Sequence, residues 1–314
     1  MTAWRAAVRE YVALRRSLGF LLREAEKTLL AFATVLEQQG ATTITTAVAL
    51  TWAQQPTRVQ PAEWARRLSH IRGFARHWHA FDPRTEVPLT GLLPYRPRRA
   101  RPYLYSDAEI RALLDAARRL PARDAHGQLR RWVYACLFGL LSVSGLRLGE
   151  ARRLELADVD LETGVVTIRQ TKFGKTRVVP LHPSTCQVLA AYLRRRHRLW
   201  GARPVSSYVF VSRRGHRLDT GSIHRTFYAL SRQIGLRGPG ERHGPRIHDL
   251  RHRFASTALW RWYRAGEDPE RRLPILSAYL GHVHVSDTYW YLQAWPALRA
   301  EARDRLERRW EDRR

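Results

Sequence analysis

A histidine, an arginine, a second histidine and a tyrosine stand within one short reach of the chain. They are His248 and Arg251 in His248-Asp249-Leu250-Arg251-His252, His282 after Leu280-Gly281, and Tyr291 in Asp287-Thr288-Tyr289-Trp290-Tyr291. A spacing of three puts His248 and Arg251 on one face of a helix, and Gly281 is a natural stop for the helix that hands on His282. These are parts for holding a phosphate and attacking it. Tyrosine does not attack unaided: with a free pKa near 10, making the phenolate at pH 7 costs about 4 kcal/mol, which cations and a proton acceptor must offset.

Two upstream segments carry complementary groups. Ser144-Gly145-Leu146-Arg147-Leu148-Gly149-Glu150 follows a strongly apolar run, and its two glycines around Arg147 make a turn able to bring backbone close to a ligand. Two arginines can fork onto the non-bridging oxygens of a phosphodiester and hold the charge that grows as a fifth oxygen attacks. Lysine occurs only at positions 27, 172 and 175, every other cation being arginine, and two of the three sit in Thr171-Lys172-Phe173-Gly174-Lys175. Arginine does not deprotonate, so a lysine kept in an arginine-rich chain suits proton donation to a leaving group. His248 and His252 also have the spacing of half a zinc site. Asp249 stands where a metalloprotease has glutamate, however, and no third ligand is evident, so no metal is expected.

The elements that must position these groups are mostly helical. Residues 1–81 show only helical periodicity: Leu29, Phe32, Ala33 and Leu36 form one apolar stripe and Trp64, Leu68, Ile71, Ala75 and Trp78 another, with Gly19 and Gly40 at helix ends. This predicts a four-helix bundle with Arg15, Arg16, Arg66, Arg67, Arg72 and Arg76 on its polar faces. Residues 94–102 have no periodicity and are rich in proline and arginine, as expected of a linker lying along phosphates; Arg96, Arg98, Arg99 and Arg101 are its candidate DNA contacts. The expected division is therefore a helical domain at 1–93, the linker at 94–102, and a second domain at 103–314.

That second domain opens with a capping box at Ser106 to Glu109. Residues 132–143 read as a buried central helix, and two β-branched runs at 165–169 and 177–181 as a hairpin with Lys172 and Lys175 at its tip. Pro183 starts a helix with Leu189, Tyr192 and Leu193 inward, residues 208–211 read as a short strand, and Ile223, Phe227, Leu230 and Ile234 mark a helix closed by Gly235. Residues 296–310 read as a charged C-terminal helix. The fold class expected is mainly α with a small antiparallel β-sheet.

Composition narrows the partner. Lys+Arg number 55 against 28 Asp+Glu, a formal net charge of +27, and 44% of residues are apolar. So large an excess of one sign on a chain able to fill two cores points to a polyanion, and double-stranded DNA is the leading partner. The apolar run continuing to Leu146 is shorter than the roughly 20 residues that span a bilayer, and charged Arg5, Arg9 and Glu10 stand where a signal peptide would be apolar. A cytoplasmic, nucleoid-associated protein is expected. Cys136 and Cys186 are the only cysteines, too few for a disulfide framework.

Taken in order, these motifs resemble the tyrosine recombinase or phage integrase family over roughly residues 103–295. Ser-Gly-Leu-Arg-Leu-Gly-Glu resembles the first arginine box, Thr-Lys-Phe-Gly-Lys-Thr-Arg the hairpin box, His-Asp-Leu-Arg-His the second box and Leu-Gly-His the third. The resemblance implies Arg147 and Arg251 as phosphate clamps, Lys172 as general acid, His248 and His282 beside them, and Tyr291, nine residues after His282, as nucleophile. Lys175 would contact DNA. It also implies a core-binding first domain, a 3′-phosphotyrosyl intermediate, no ATP, metal, other cofactor or small-molecule substrate, and a homotetramer on DNA with exchange of the C-terminal helix. Integration, transposition and dimer resolution are all roles such an enzyme could play. Two alternatives stay open from sequence: type IB topoisomerase relaxation with the same chemistry, and a catalytically silent DNA-binding regulator.

Overall fold

A computed structural model describes residues 3–95, 101–169, 176–201, 206–241 and 244–294, together with 303, 307, 310 and 311. The chain divides into two compact units, residues 1–100 and 101–314. The expected contacts Arg96, Arg98 and Arg99, both hairpin lysines Lys172 and Lys175, and most of 296–310 lie outside the described residues.

Unit 1 is four helices: α1 (Ala3–Ser17), α2 (Arg23–Gln38), α3 (Thr46–Gln54) and α4 (Pro61–Trp78). The stripes of α2 and α4 face one another, so that Leu29, Phe32, Leu36, Leu68, Ile71 and Phe74 are almost wholly buried. Not all of the arginines on its outer faces are free. Arg67 stacks on the Trp52 ring at 3.7 Å, and Arg72 donates to the carbonyls of Pro88 and Leu89 at 2.6 and 2.7 Å.

Unit 2 begins with α5 (Asp107–Arg118), and both bonds of the expected capping box are formed, Glu109 N donating to Ser106 Oγ and Ser106 N to Glu109 Oε2. The central helix α6 (Ala125–Ser144) starts a full two turns before the apolar run, because Asp124 caps Gly127 N at 2.7 Å. Then come α7 (Leu148–Arg153) and a three-stranded antiparallel sheet in sequence order, β1 (Val159–Asp160), β2 (Val165–Ile168) and β3 (Arg177–Pro180). Val165↔Pro180 to Ile168↔Arg177 sets the register of the hairpin, burying Val166, Ile168 and Val179 on one face. Helices α8 (Pro183–Trp200) and α9 (Thr220–Gln233) follow, then α10 (Ile247–Arg264), α11 (Pro269–Leu280) and α12 (Ser286–Ala294).

Residues 208–211 do not form the expected strand. Tyr208 and Val211 make only isolated bridges, to Glu155 and Arg217, while Val209 and Phe210 are buried. The apolar run reflects core packing here, since no neighbouring strand offers a continuous ladder.

Gly145 caps α6 at φ +61°, and a Cβ there would lie 2.4 Å from Phe254 of α10. Both the left-handed backbone and the close approach of α10 demand glycine. Gly145→Ala is therefore expected to lose about 2–4 kcal/mol in denaturant unfolding, the sum of φ strain and overpacking. A loss below about 0.5 kcal/mol would mean that α6 and α10 are not locked at this point.

Candidate active site

Four elements of unit 2 converge where α6 ends, α7 begins and α11 stops. Arg147 is the N-cap residue of α7, placed there by the Gly145 turn. Its Nη1 donates to Glu150 Oε1 at 2.9 Å and to the Leu280 carbonyl at 3.4 Å, and its Nη2 to the Gly281 carbonyl at 3.1 Å. The side chain keeps 31% of its surface open to solvent. Arg251, on α10, is 2% exposed. It donates to the Gly145 carbonyl at 2.6 Å and the Leu280 carbonyl at 2.8 Å, and lies 3.0 Å from His282 Nε2. Two guanidinium groups are thus held by the same helix-terminal carbonyl. Burial pulls Arg251 down to about 10, while the adjoining Tyr291 hydroxyl, with which it hydrogen-bonds, and Glu150 favour its charged form; it stays cationic at neutral pH.

His282 follows the Gly281 stop, as the spacing predicts, and is half-buried, whereas His284 is exposed. Arg251 can only donate, so Nε2 of His282 accepts, leaving Nδ1–H to donate to Thr288 Oγ1 at 2.8 Å. This neutral form differs from a ring donating through Nε2. Burial, and then the guanidiniums of Arg251 and Arg147, lower His282 to about 4.

Tyr291 lies on α12 at 3% exposure, in a small apolar cluster with Leu259, Leu273, Leu276 and Leu280. Its ring is parallel to that of His282 at 6.1 Å and tilted against that of His252 at 5.3 Å. Tyr289 is 48% exposed, as two residues of helical offset require. His248 is exposed in the first turn of α10 and meets His252 edge-on at 4.8 Å; desolvation by its surroundings and the Arg251 charge lower its pKa. Burial and His248 bring His252 to about 4. Arg101 is exposed at the start of unit 2.

Three participants escape a reading by motif. Glu150, 2% exposed, stands three residues after Arg147 in the same box and joins Arg147 to Arg177 at the foot of β3. Burial would raise its pKa, but the hydrogen bonds from Arg177 and Arg147 hold it down at about 2. Arg177 looked like one more strand residue, and Thr288, wholly buried, like part of an aromatic turn. The carboxylate at i+3 was the available signal for Glu150, and the last place in the box Thr-Lys-Phe-Gly-Lys-Thr-Arg was that for Arg177; nothing local marks Thr288.

The three low imidazoles carry a stability consequence. His252 and His282 bind fewer protons folded than unfolded, so their contribution is complete above about 6.5 and is lost as pH falls toward 4. Unfolding free energy is expected to drop by about 1–2 kcal/mol between pH 7 and pH 5 after allowance for solvent screening, read from urea midpoints. Glu150 acts in a lower window, below its ordinary 4.5. A midpoint unchanged or higher at pH 5 would contradict neutral imidazoles at this site.

The phage integrase family profile matches residues 104–297. With the mainly helical fold, its small antiparallel sheet and the ordered boxes, this makes the chain a member of the phage integrase family of tyrosine recombinases. It is 61% identical over 313 residues to a Sinorhizobium fredii protein named as an integrase/recombinase, y4rB, covering 100% of both chains. It is 31% identical over 227 residues to the tyrosine recombinase XerC of Pseudomonas entomophila, covering 72% of this chain and 68% of that one. Among solved structures, the fold is like that of the Tn1549 transposon integrase in complex with transposon right end DNA (TM-score 0.63, 16% identity, 96% and 98% covered). It is also like a lambda integrase tetramer bound to a Holliday junction (TM-score 0.59, 18% identity, 90% and 78% covered). Among the described residues no helix is long and apolar enough to cross a membrane.

Proposed function

We propose that this chain is a site-specific DNA recombinase that cuts one strand with Tyr291 and passes it to another duplex through a 3′-phosphotyrosyl bond. The observation that carries the reading is the meeting of Arg251, His282 and Tyr291 at the carbonyl end of α11, with Arg147 held by the same Leu280 carbonyl. A phosphodiester entering there takes N–H donors from both forks, and the buried setting strengthens them against the growing negative charge.

In the reaction, Tyr291 Oη bonds to phosphorus and the P–O5′ bond breaks. The phenolic proton passes to an acceptor, for which neutral His248 is available, and Lys172 gives a proton to O5′. Contact with the phosphate replaces the bond between Arg251 and His282; the neutral ring, with its one proton on Nε2 and Nδ1 accepting from the Thr288 hydroxyl, then donates to the phosphate. The energy of the broken ester is kept in the tyrosyl ester, so religation to a partner strand's 5′ hydroxyl needs no ATP. The guanidinium groups of Arg147 and Arg251 carry positive charge against the phosphate. Unit 1, with linker residues Arg96, Arg98, Arg99 and Arg101 and hairpin residue Lys175, is proposed to clamp the duplex through its phosphates. Exchange between two duplexes needs four such sites, hence a homotetramer on DNA with residues 296–310 docking on a neighbour, in the cytoplasm at the nucleoid.

Sheared genomic DNA incubated with the protein, followed by denaturing capture of covalent adducts and sequencing, is expected to return one recurrent site. On a nicked duplex of that sequence offering a foreign 5′ hydroxyl, strand transfer between duplexes supports recombination. Relaxation of supercoils without transfer would favour a topoisomerase, and binding without any adduct would leave a silent DNA-binding protein.

A further inference from the structure

The Glu150 carboxylate is almost wholly buried between two arginines, and it treats them unequally. From Arg177 it accepts two bonds, Nη1 to Oε1 at 3.0 Å and Nη2 to Oε2 at 2.7 Å; from the Arg147 side chain it accepts one, Nη1 to Oε1 at 2.9 Å. The Arg147 backbone N–H fills the remaining place, on Oε2 at 2.9 Å. Arg177 is held on both edges of its guanidinium. Its Nε donates to the Tyr279 carbonyl at 2.8 Å, and only 11% of its side chain reaches solvent. Arg147 keeps nearly three times that exposure, and it shares the Leu280 carbonyl with Arg251.

The chain also makes room for this arrangement. A Cβ on Gly281 would sit 2.8 Å from Arg177 Nη1, so the glycine that ends α11 ahead of His282 also lets the Arg177 guanidinium lie beneath that turn. One carboxylate and two guanidiniums leave a net charge of +1 at the mouth of the site. With Glu150 and Arg147 alone the pair would be neutral, and the clamp would meet a phosphate with its charge already answered.

We propose that Arg177 is a positioning residue of the strand-cleavage reaction: by taking the larger share of the Glu150 carboxylate it leaves the Arg147 guanidinium, which gives that carboxylate one side-chain bond, with positive charge to offer the incoming phosphate. This rests on the recombinase reading above, with Arg147 as a phosphate clamp. Arg177 touches no substrate. It acts through Glu150, as a counter-charge, and its effect should therefore depend on whether Glu150 is charged.

The experiment is single-turnover cleavage of a nicked duplex carrying the site recovered from wild-type adducts, with melting temperature recorded for each variant. Arg177→Met is expected to slow cleavage by on the order of 100-fold, as loss of a partner from a buried charge pair does. Adding Glu150→Gln to it should restore roughly tenfold, because the freed Arg147 charge returns, a coupling of opposite sign to two independent losses. A double variant no faster than Arg177→Met overturns the proposal. Arg177→Lys keeps the charge and is the safeguard should Arg177→Met not fold: it is expected to stay within about fivefold of wild type, and a folded Arg177→Lys slowed about 100-fold would also overturn it. A substrate with sulfur in place of the bridging 5′ oxygen needs no proton donor, so it should leave the Arg177→Met defect intact. Rescue by that substrate would mean that Arg177 serves the hairpin lysine instead. Absence of cleavage by the wild type would remove the recombinase reading itself; wild-type cleavage without suppression removes this inference alone.

Discussion

Tyr291→Phe is expected to abolish the covalent protein–DNA adduct, lowering cleavage by at least about 10⁴-fold, while the protein stays folded and holds DNA as before. The substitution removes one oxygen from a ring that is 3% exposed and packed among Leu259, Leu273, Leu276 and Leu280, so the shape of the cluster is kept. Arg251 loses an acceptor but retains the Gly145 and Leu280 carbonyls and His282 Nε2, which limits the change in stability to about 1 kcal/mol. Tyr289→Phe supplies the contrast, because that side chain is half exposed on the other side of α12. Adduct capture in denaturant with both variants decides the assignment: an adduct lost in Tyr289→Phe and kept in Tyr291→Phe would move the nucleophile and undo the proposed geometry.

The second large effect is expected for Arg251→Lys, which keeps a cation but replaces a planar fork with a single point donor. In the structure the fork spans three acceptors, Gly145 at the end of α6, Leu280 at the end of α11, and His282 in the turn that follows α11. A lysine ammonium cannot hold that geometry and also meet a non-bridging oxygen. Because the charge on phosphorus grows only as the fifth bond forms, the loss should fall on the chemical step: about 10³-fold in single-turnover cleavage, with DNA affinity changed less than about threefold. The unmet carbonyls should also cost roughly 1–3 kcal/mol in thermal unfolding. Equal losses in affinity and cleavage would show that Arg251 only binds DNA, and no loss in either would remove it from the site.

Much of this was readable from residue order. The periodicity of Leu29 to Leu36 and Trp64 to Trp78 specifies helices because a buried stripe recurs every three to four residues whatever it packs against. Ser106 to Glu109, Pro183 and Gly281 mark helix ends for equally local reasons, since each satisfies or removes backbone donors within one turn. Helical offset alone turns Tyr291 inward and Tyr289 outward. Local patterns fail where an apolar run has no partner strand, as at 208–211, and where a helix is started by a cap outside the apolar window, as at Asp124.

Amino-acid order thus settled which chemical groups this chain owns, their succession, and the helices and hairpin that carry them. Packing settled what each group touches. Arg251 reaches a carbonyl 106 residues away, Arg147 one 133 residues away, and Glu150 is shared with an arginine on a strand whose pattern gives no hint of it. His282 is neutral because burial disfavours its charged form and the Arg251 and Arg147 guanidiniums add to that, and Glu150 is charged because two forks outweigh its burial. Charge state and hydrogen-bond partner depend on distance and desolvation in three dimensions, and these exist only once α6, α10, α11 and β3 have come together.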